Sequence, residues 1–441
     1  MLDALQDVRQ IEIRTPAGLP SENLIYAMRD DEGGKNLFIC HVYPKERKKM
    51  DAGEQYTIRL TGEWKLTLLD TLSGDILPVP ARYAQGYTLL DWNCYGQDSL
   101  LLRMEPGRFE AAAVSGTAAA PALRGLVMAE DNPLIGSEQE WERIPDPCRF
   151  TLSEDNVCLL DMAKWKIDSG AWQMCEEMLR IEVKAKQSLN MSTATVNGAQ
   201  PWIMPDEKPE HTLTVQSGFV SDIEYDDALL ALEDRADCTV LFNGEPVDTA
   251  QQGVYVDDSI QTVRLGRIRK GVNTIEVTKP FTVRTKVENM FVLGKFGVRV
   301  TGREIRVIPM PETLSFGDWT TQGLPFYGGA VTYHVPVEGC QQRRVRLGLY
   351  AAPCVTASLD GKRLGNISLA PHEAALDLSA PGKHLLDLTV YASRINTFGT
   401  FHLSDYQLNW FGPHAWRSTG IDWSYAYRLQ PTGLLTEPYL L

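Results

Sequence analysis

The 441-residue sequence lacks long hydrophobic runs and has no surplus of basic residues. No apolar stretch approaches the roughly 18–20 residues that a membrane-spanning helix needs, so no membrane partner is expected. Acidic residues outnumber basic ones, 57 against 43, which gives a formal net charge of −14. Because nucleic acids and anionic membranes favour a basic protein face, neither is an expected partner. The charge balance favours neutral ligands.

The eight cysteines show no pairing pattern. None forms a CxxC motif, and Cys40 and Cys238 lie within the apolar strand patterns LFIC and CTVLF. The opening residues, MLDALQDVRQIEIR, lack the basic-then-apolar order of a secretory signal. If Met1 is the native start, the sequence predicts a cytoplasmic protein with reduced core cysteines. Disulfides and metal ligation are the alternatives.

Common catalytic motifs are also missing. The sequence has no G-x-S-x-G elbow, no H-E-x-x-H motif and no Walker-type glycine loop, and its seven histidines are dispersed. Acidic pairs such as Asp226-Asp227 and Asp257-Asp258 lie in polar, turn-like contexts. They are predicted to be solvated loops, and Glu288 a strut at a domain junction. No catalytic residue is therefore predicted, and the metal content stays open.

The dominant hydrophobic period is two, as in half-buried antiparallel strands. In YTIRL, the residues Tyr56, Ile58 and Leu60 share one face, and VRLGLY (345–350) and LDLTVY (386–391) alternate in the same way. Asn-Gly and Asp-Gly pairs separate such runs, and these dipeptides suit two-residue hairpin turns. The pattern predicts an all-β chain of tandem sandwiches.

Two pairs of segments repeat in the same order. TVLFNG (239–244) matches TASLDG (356–361) at an offset of 117 residues, and GVNTIEV (271–277) matches GKHLLDL (382–388) at an offset of 111. Each copy reads as a strand, a tight turn and a later strand entered through glycine. This order predicts a duplicated domain.

These segments resemble the galactose-binding-like jelly rolls of large bacterial glycoside hydrolases, of family 2 or of the α-L-rhamnosidase-like type. The matching pieces are LFNGEPV with GVNTIEV, and SLDGKRLG with PGKHLLDLTVY. The late stretches NTFGTFH and WFGPHAWRSTGIDWSYAYRLQPTGLL resemble the C-terminus of such enzymes. In that architecture the catalytic carboxylates lie on a barrel of about 250 residues, for which this chain has no room.

The predicted organisation has four parts. Residues 1–108 form a sandwich of the type that follows the catalytic barrel, and residues 109–150, rich in alanine, form a connector. Residues 151–305 and 306–441 each form a galactose-binding-like jelly roll. The resemblance covers every part except the connector.

The resemblance implies an ancillary, non-catalytic C-terminal region or split subunit of a glycoside hydrolase. Its expected partners are plant or bacterial glycans and a catalytic barrel domain or subunit. No cofactor is expected, and a structural Ca²⁺ stays possible because it is common in this fold. Two rivals are a complete glycoside hydrolase or polysaccharide lyase with its site between sandwiches, and a free-standing carbohydrate-binding protein. A lyase would need a base beside a cation, for which Tyr391, Arg394 and His402 are candidates.

Tryptophan and tyrosine faces stack on sugar rings, and amides or imidazoles bond to their hydroxyls. Aromatic residues crowd the end of the chain, where they either bind sugar or fill the cores. The candidate carbohydrate-binding residues are Trp319, Tyr327, Asn396, His402, Trp410 and Trp416.

Overall fold

The computed structural model describes residues 8–42, 53–71, 74–96, 98–109, 142–194, 201–404 and 420–440. The chain divides into two compact units. Unit 1 comprises residues 1–145, 334–390 and 436–441, and unit 2 comprises residues 146–333 and 391–435. Trp410 and Trp416 lie outside the described residues.

The first part of unit 1 is a sandwich of two antiparallel sheets, with strand orders β1-β4-β8-β7 and β2-β3-β9-β5-β6. Its strands are β1 (Ile11–Arg14), β2 (Leu24–Asp31), β3 (Gly34–His41), β4 (Glu54–Thr61), β5 (Trp64–Leu69), β6 (Ile76–Val79), β7 (Arg82–Ala84), β8 (Tyr87–Cys94) and β9 (Ser99–Pro106).

Alternation along these strands builds the sandwich core. Tyr56, Ile58 and Leu60 on β4 are buried, as the period-two pattern predicted. On β8, buried Leu90 and Trp92 alternate with residues that are half-buried. Because successive side chains of a strand point to opposite faces, one face of each sheet closes on the other.

Unit 2 holds a second pair of sheets, with strand orders β12-β22-β16-β20-β19 and β14-β13-β15-β21-β17-β18. Its strands are β11 (Cys148–Leu152), β12 (Asn156–Leu160), β13 (Met162–Ile167), β14 (Gln173–Glu177), β15 (His211–Ser221), β16 (Tyr225–Leu232), β17 (Thr239–Phe242), β18 (Glu245–Pro246), β19 (Gln251–Tyr255), β20 (Asp257–Ile268), β21 (Gly271–Phe281), β22 (Met290–Gly294), β23 (Gly297–Thr301), β24 (Glu304–Ile308), β25 (Thr313–Leu314) and β31 (Gly433–Leu434).

A helix, α1 (Met178–Ser188), interrupts the strands of unit 2. The Glu177 carboxylate caps its start by accepting from the Arg180 backbone N–H at 2.9 Å. Within the helix, the fully buried Lys186 donates to the fully buried Glu182 at 2.8 Å. The Lys286 ammonium lies 3.5 Å from the same Glu182 carboxylate, which ties the helix to the segment before β22.

The remaining strands lie mainly in unit 1, and six of them follow the order β10-β32-β26-β30-β28-β29. They are β10 (Glu142–Arg143), β26 (Ala330–Arg346), β27 (Tyr350–Ala351), β28 (Cys354–Leu359), β29 (Lys362–Asn366), β30 (Glu373–Tyr391) and β32 (Tyr439–Leu440). The alternation of LDLTVY is confirmed, since Leu386, Leu388 and Val390 are fully buried. That of VRLGLY fails at Leu349, which is 62% exposed because β26 ends at Arg346.

The first repeated turn joins β17 to β18. Asn243 and Gly244 both have positive φ, 51° and 85°, as a type I′ hairpin turn requires. The Asn243 backbone N–H donates to the Thr274 carbonyl at 2.8 Å, and its side-chain Oδ1 accepts from the Thr274 N–H at 2.9 Å. The Asn243 side-chain Nδ2 also donates to Asn273 Oδ1 at 3.0 Å.

The second repeated turn, between β28 and β29, shows the same bonds at the matching positions. Asp360 and Gly361 have φ of 52° and 77°. Asp360 donates its N–H to the Leu385 carbonyl at 2.9 Å, and its Oδ1 accepts from the Leu385 N–H at 2.9 Å. Asp360 Oδ2 lies 2.6 Å from His384 Nδ1. The two hairpins thus share their turn geometry and their bonds to the later strand, and a duplicated domain stays a prediction.

Four additional single turns of 3₁₀ helix and one short helix, α2 (Ile395–Phe398), complete the described structure. The 3₁₀ turns are Pro201–Ile203, Arg235–Asp237, Trp319–Thr321 and Gly420–Asp422. Of the helices in the described ranges, none has both the length and the apolarity to cross a membrane.

Candidate functional site

The two aromatic candidates upstream of β26 lie in the interior of unit 2. Trp319 is 0% exposed and Tyr327 is 1% exposed. The Tyr327 hydroxyl accepts from the Ser153 N–H and donates to the Ala330 carbonyl, both at 3.0 Å. Neither ring offers a face to solvent, so their role in sugar binding remains a prediction that burial disfavours.

Asn396 holds two segments of unit 2 together. Its Nδ2 donates to the Gln430 carbonyl at 2.8 Å, and its Oδ1 accepts from the Gln430 N–H at 2.9 Å. The side chain is 4% exposed. Because both polar ends are used by the chain itself, Asn396 is well placed to support the neighbouring loop.

His402 lies at the centre of a buried polar cluster that includes Asp161 and Tyr427. Its Nε2 is 2.7 Å from Asp161 Oδ2, and its Nδ1 is 2.8 Å from the Ser424 carbonyl. The Tyr427 hydroxyl donates to the other Asp161 oxygen at 2.5 Å. Burial and the Asp161 charge raise the pKa of the Tyr427 hydroxyl, so it remains a proton donor.

Local backbone pairing fixes the orientation of the His402 ring. The 402–404 segment bridges antiparallel to 422–424, with Leu403 opposite Trp423. Both ring nitrogens of His402 face oxygen acceptors, a carbonyl and a carboxylate. Both nitrogens are therefore engaged within the protein.

A small crevice opens beside this cluster, and we call it the His402 crevice. It is lined by residues 399–403 together with Glu177, Leu179, Asn289 and Trp423. The Trp423 ring lies 4.6 Å from the His402 ring, centroid to centroid, and the Arg180 guanidinium lies 4.5 Å from the Trp423 centroid. The indole thus contacts both an imidazole and a guanidinium group.

Two buried polar atoms of the lining have no hydrogen-bond partner within the described chain. They are the Trp423 Nε1 donor and the Asn289 Oδ1 acceptor. Because a buried polar atom without a partner costs free energy, such atoms favour a ligand or water that supplies the missing bond. Both atoms belong to residues that line the crevice, so a hydroxyl-bearing molecule bound there is a candidate partner for them.

Of the six predicted residues, the structure brings only His402 to this crevice among those it describes. Trp423 and Asn289 were not predicted as binding residues. Trp423 lies in the aromatic-rich IDWSYAY stretch, so its sequence context did indicate that its ring could bind sugar. Asn289 precedes the apolar run MFVLG, and nothing in its sequence context separates it from a strand-flanking polar residue.

Two of the three proposed lyase residues, Arg394 and His402, pair with carboxylates. Arg394 makes a bidentate ion pair with Glu154, at 2.5 and 2.7 Å, while His402 pairs with Asp161. Glu177 is the one carboxylate among the described lining residues of the crevice, and it caps α1. Within the described ranges, no group of three or more metal-ligating side chains converges.

Comparison with known proteins gives structural neighbours only. No protein-family model and no curated protein matches the sequence. A rhamnosidase from Novosphingobium sp. PP1Y is 10% identical, with a TM-score of 0.41, over 100% of this chain and 26% of its own. The chain thus spans about a quarter of that enzyme's length.

Two further neighbours match about half of the chain. A β-D-mannosidase from Dictyoglomus thermophilum is 10% identical over 54% of this chain and 31% of its own, with a TM-score of 0.19. A family 2 β-galacturonidase from Eisenbergiella tayi is 9% identical over 56% of this chain and 37% of its own, with a TM-score of 0.20. These three neighbours, a rhamnosidase, a β-D-mannosidase and a family 2 β-galacturonidase, each match this chain at about 10% identity and with a TM-score below 0.5.

Proposed function

We propose that the chain is an ancillary, non-catalytic region or split subunit of a glycoside hydrolase, and that its His402 crevice binds a neutral plant or bacterial glycan. The observation that carries this proposal is the unpaired donor and acceptor, Trp423 Nε1 and Asn289 Oδ1, beside a rigidly held imidazole. A sugar hydroxyl both donates and accepts, so one hydroxyl group satisfies either atom.

The surroundings of the crevice also suit a sugar. Tyr425 is 44% exposed and its ring lies 5.8 Å from that of Trp423 in an edge-on arrangement. An exposed ring of this kind offers a stacking face to the C–H side of a pyranose. The Glu177 carboxylate in the lining disfavours anionic sugars, because its negative charge repels a second negative charge.

Glycan binding is tested with the whole chain on a panel of neutral plant and bacterial oligosaccharides, followed by calorimetry on those that bind. Trp423→Phe removes the indole N–H and keeps a ring, and Asn289→Ala removes the acceptor. Each is expected to weaken binding about tenfold, equivalent to about 1.4 kcal/mol. Trp202→Phe makes the same chemical change at an indole that is 65% exposed and outside the crevice lining, and should leave affinity unchanged.

The non-catalytic role is tested separately with aryl glycosides, with and without any catalytic barrel protein encoded beside this chain. No turnover is expected from the chain alone. Turnover that survives purification and disappears when one acidic residue of this chain is replaced would contradict the proposal. Binding that is equal in the wild type and in Trp423→Phe would place the glycan elsewhere.

A further inference from the structure

A single residue, Val256, reverses the chain between β19 and β20. Its neighbours Tyr255 and Asp257 are the facing residues of the two antiparallel strands at this end. The φ of Val256 is 66°, in the left-handed region that β-branched residues rarely adopt. The Val256 side chain is 52% exposed, so its own packing does not impose this conformation. Backbone strain of this kind persists only where the surrounding structure requires it.

The contacts of the two neighbouring residues explain why this tight turn is kept. Tyr255 is 5% exposed, whereas Val254 before it is 50% exposed. The turn therefore ends β19 with one aromatic ring directed into unit 2. On the β20 side, the Asp257 carboxylate accepts from the Ser259 N–H at 2.9 Å and from the Ser259 hydroxyl at 2.6 Å. Asp257 thus fixes the shape of the turn, and Tyr255 connects it to the interior.

The Tyr255 ring completes a triangle of three aromatic rings, which we call the Tyr255 triangle. The Tyr255 centroid lies 5.5 Å from that of Phe291 and 6.2 Å from that of Phe398. The Phe291 and Phe398 centroids are 5.3 Å apart. All three distances fall in the range of about 4.5–7 Å that aromatic pairs prefer. Because the rings belong to β19, β22 and α2, the triangle fixes these three elements relative to one another.

Two corners of the triangle adjoin separate parts of the His402 crevice lining. Phe291 is two residues after Asn289, and Phe398 directly precedes Gly399, which begins the lining segment 399–403. The Gly399 N–H donates to the first carbonyl of α2 at 2.9 Å, so the segment is tied to the helix that carries Phe398. A displacement of either phenylalanine would therefore move part of the lining.

We infer that Tyr255 is a positioning residue of the His402 crevice, which sets the placement of Asn289 relative to the segment 399–403. Among the described residues that line the crevice, Tyr255 is not included, so it acts through Phe291 and Phe398 and not on a ligand. The functional part of this inference rests on the proposed glycan binding at the crevice. The structural part, the ordering of the lining segment, does not depend on a ligand.

The structural part is tested by backbone amide hydrogen exchange on the whole chain. Tyr255→Leu keeps an apolar side chain and removes the ring, so it should speed exchange at least tenfold in residues 397–404, which include hydrogen-bonded amides. Exchange in β13, which lies in the same unit outside the triangle, should change less than twofold, whereas a general loss of stability would speed both. Tyr255→Phe retains the ring and should restore wild-type exchange. Val254→Ala, at the adjacent exposed position, is the control and should leave exchange unchanged.

The functional part is tested by calorimetry with an oligosaccharide that the wild type binds. Tyr255→Leu should weaken binding at least fivefold, and Tyr255→Phe should keep wild-type affinity. If the wild type binds no glycan, the proposed function fails, and hydrogen exchange alone decides the positioning role.

Three outcomes overturn the inference in a folded Tyr255→Leu protein. They are unchanged exchange in 397–404, an equal rise of exchange in β13, and unchanged affinity for a glycan that the wild type binds. If Tyr255→Leu does not fold, Phe398→Leu removes the same ring contact from the other side and is judged by the same criteria.

Discussion

Burial shifts the pKa of individual side chains in unit 2, as Glu233 shows. Glu233 follows the last residue of β16 and lies against the aliphatic end of the sandwich. Removing a carboxylate from water disfavours its charged form, which is why its pKa is raised. The neighbouring Lys279 acts in the opposite direction but is the smaller influence.

This gives a pH-dependent prediction for Glu233→Gln. A raised folded-state pKa means that the protonated form favours folding, so the stabilisation is present at pH below about 4.3, the unfolded value, and is lost as pH rises through the folded pKa. Glutamine mimics the protonated form at every pH. The substitution should therefore raise the unfolding temperature of unit 2 at pH 7.5, with the gain disappearing near pH 4, as measured by scanning calorimetry.

The control for this prediction is Glu245→Gln, at an exposed position on β18. It should leave the unfolding temperature unchanged at both pH values. A loss of stability in Glu233→Gln at pH 7.5 would show instead that the ionised carboxylate is held by Lys279.

At the scale of elements, the two repeated hairpins use different residues to make the same connections. Asn273 donates to the Arg269 carbonyl four residues earlier, at 2.6 Å, and bonds to the turn residue Asn243. His384 lies 2.9 Å from the Ala380 carbonyl, also four residues earlier, and bonds to the turn residue Asp360. The second copy thus has His384 where the first has Asn273, and this change is matched by the change from Asn243 to Asp360 in the turn.

The equivalence predicts unequal effects of substitution at the two sites. Asn273 is fully buried, so Asn273→Ala leaves the Arg269 and Asn243 polar groups without their partner and should cost about 1–3 kcal/mol. Hydrogen exchange of the backbone amides in residues 239–277 measures this loss of stability locally. A local measurement is needed because a chain with more than one compact unit need not unfold in one step.

The matched variant in the other copy is His384→Asn. Asparagine at this position can still reach Asp360 and the Ala380 carbonyl, as Asn273 does in the first copy, so exchange in 356–388 should change less than in His384→Leu. Equal effects of the two substitutions would contradict a shared hairpin design.

The strand pattern was predictable because its signal is local. Alternation and Asn-Gly or Asp-Gly turns depend only on neighbours in sequence, and they located β4, β17 and β28. The helix α1 was missed because two of its six buried residues are charged, Glu182 and Lys186. Their mutual ion pair permits burial, but in sequence they break the apolar stripe that identifies a helix.

At the scale of the whole molecule, the features that the sequence did not predict depend on contacts between residues distant in sequence. Residues 391–435 belong to the same compact unit as 146–333, and residues 334–390 group with 1–145. The His402 cluster depends on this long-range return, since Asp161 and Tyr427 are 266 positions apart in sequence. No local pattern encodes such a pairing, so His402 was predicted only through the family resemblance.

The domain boundaries at 108, 150 and 305 stay predictions. The two compact units are discontinuous in sequence, whereas those boundaries divide the chain into continuous stretches. Limited proteolysis followed by mass spectrometry distinguishes the two divisions, because a continuous domain survives a cut at its boundary as an intact fragment.

The last prediction concerns the thiols. The seven cysteines whose side chains are described carry no disulfide: Cys40, Cys94, Cys148, Cys158, Cys175, Cys238 and Cys354. Titration with a thiol reagent in denaturant, without reductant, should therefore find all eight cysteines of the sequence reactive; finding four would contradict it.

In the folded protein the exposed Cys175 should react first. Burial raises the pKa of Cys148 and of Cys238 to about 11 in each case, and removes Cys158 from solvent entirely, so the reactive thiolate is scarce at these three sites. Cys175→Ser should remove the fastest kinetic phase and leave the slow phases unchanged, and a fast phase that persists would mean that a thiol assigned here to the interior is open to solvent.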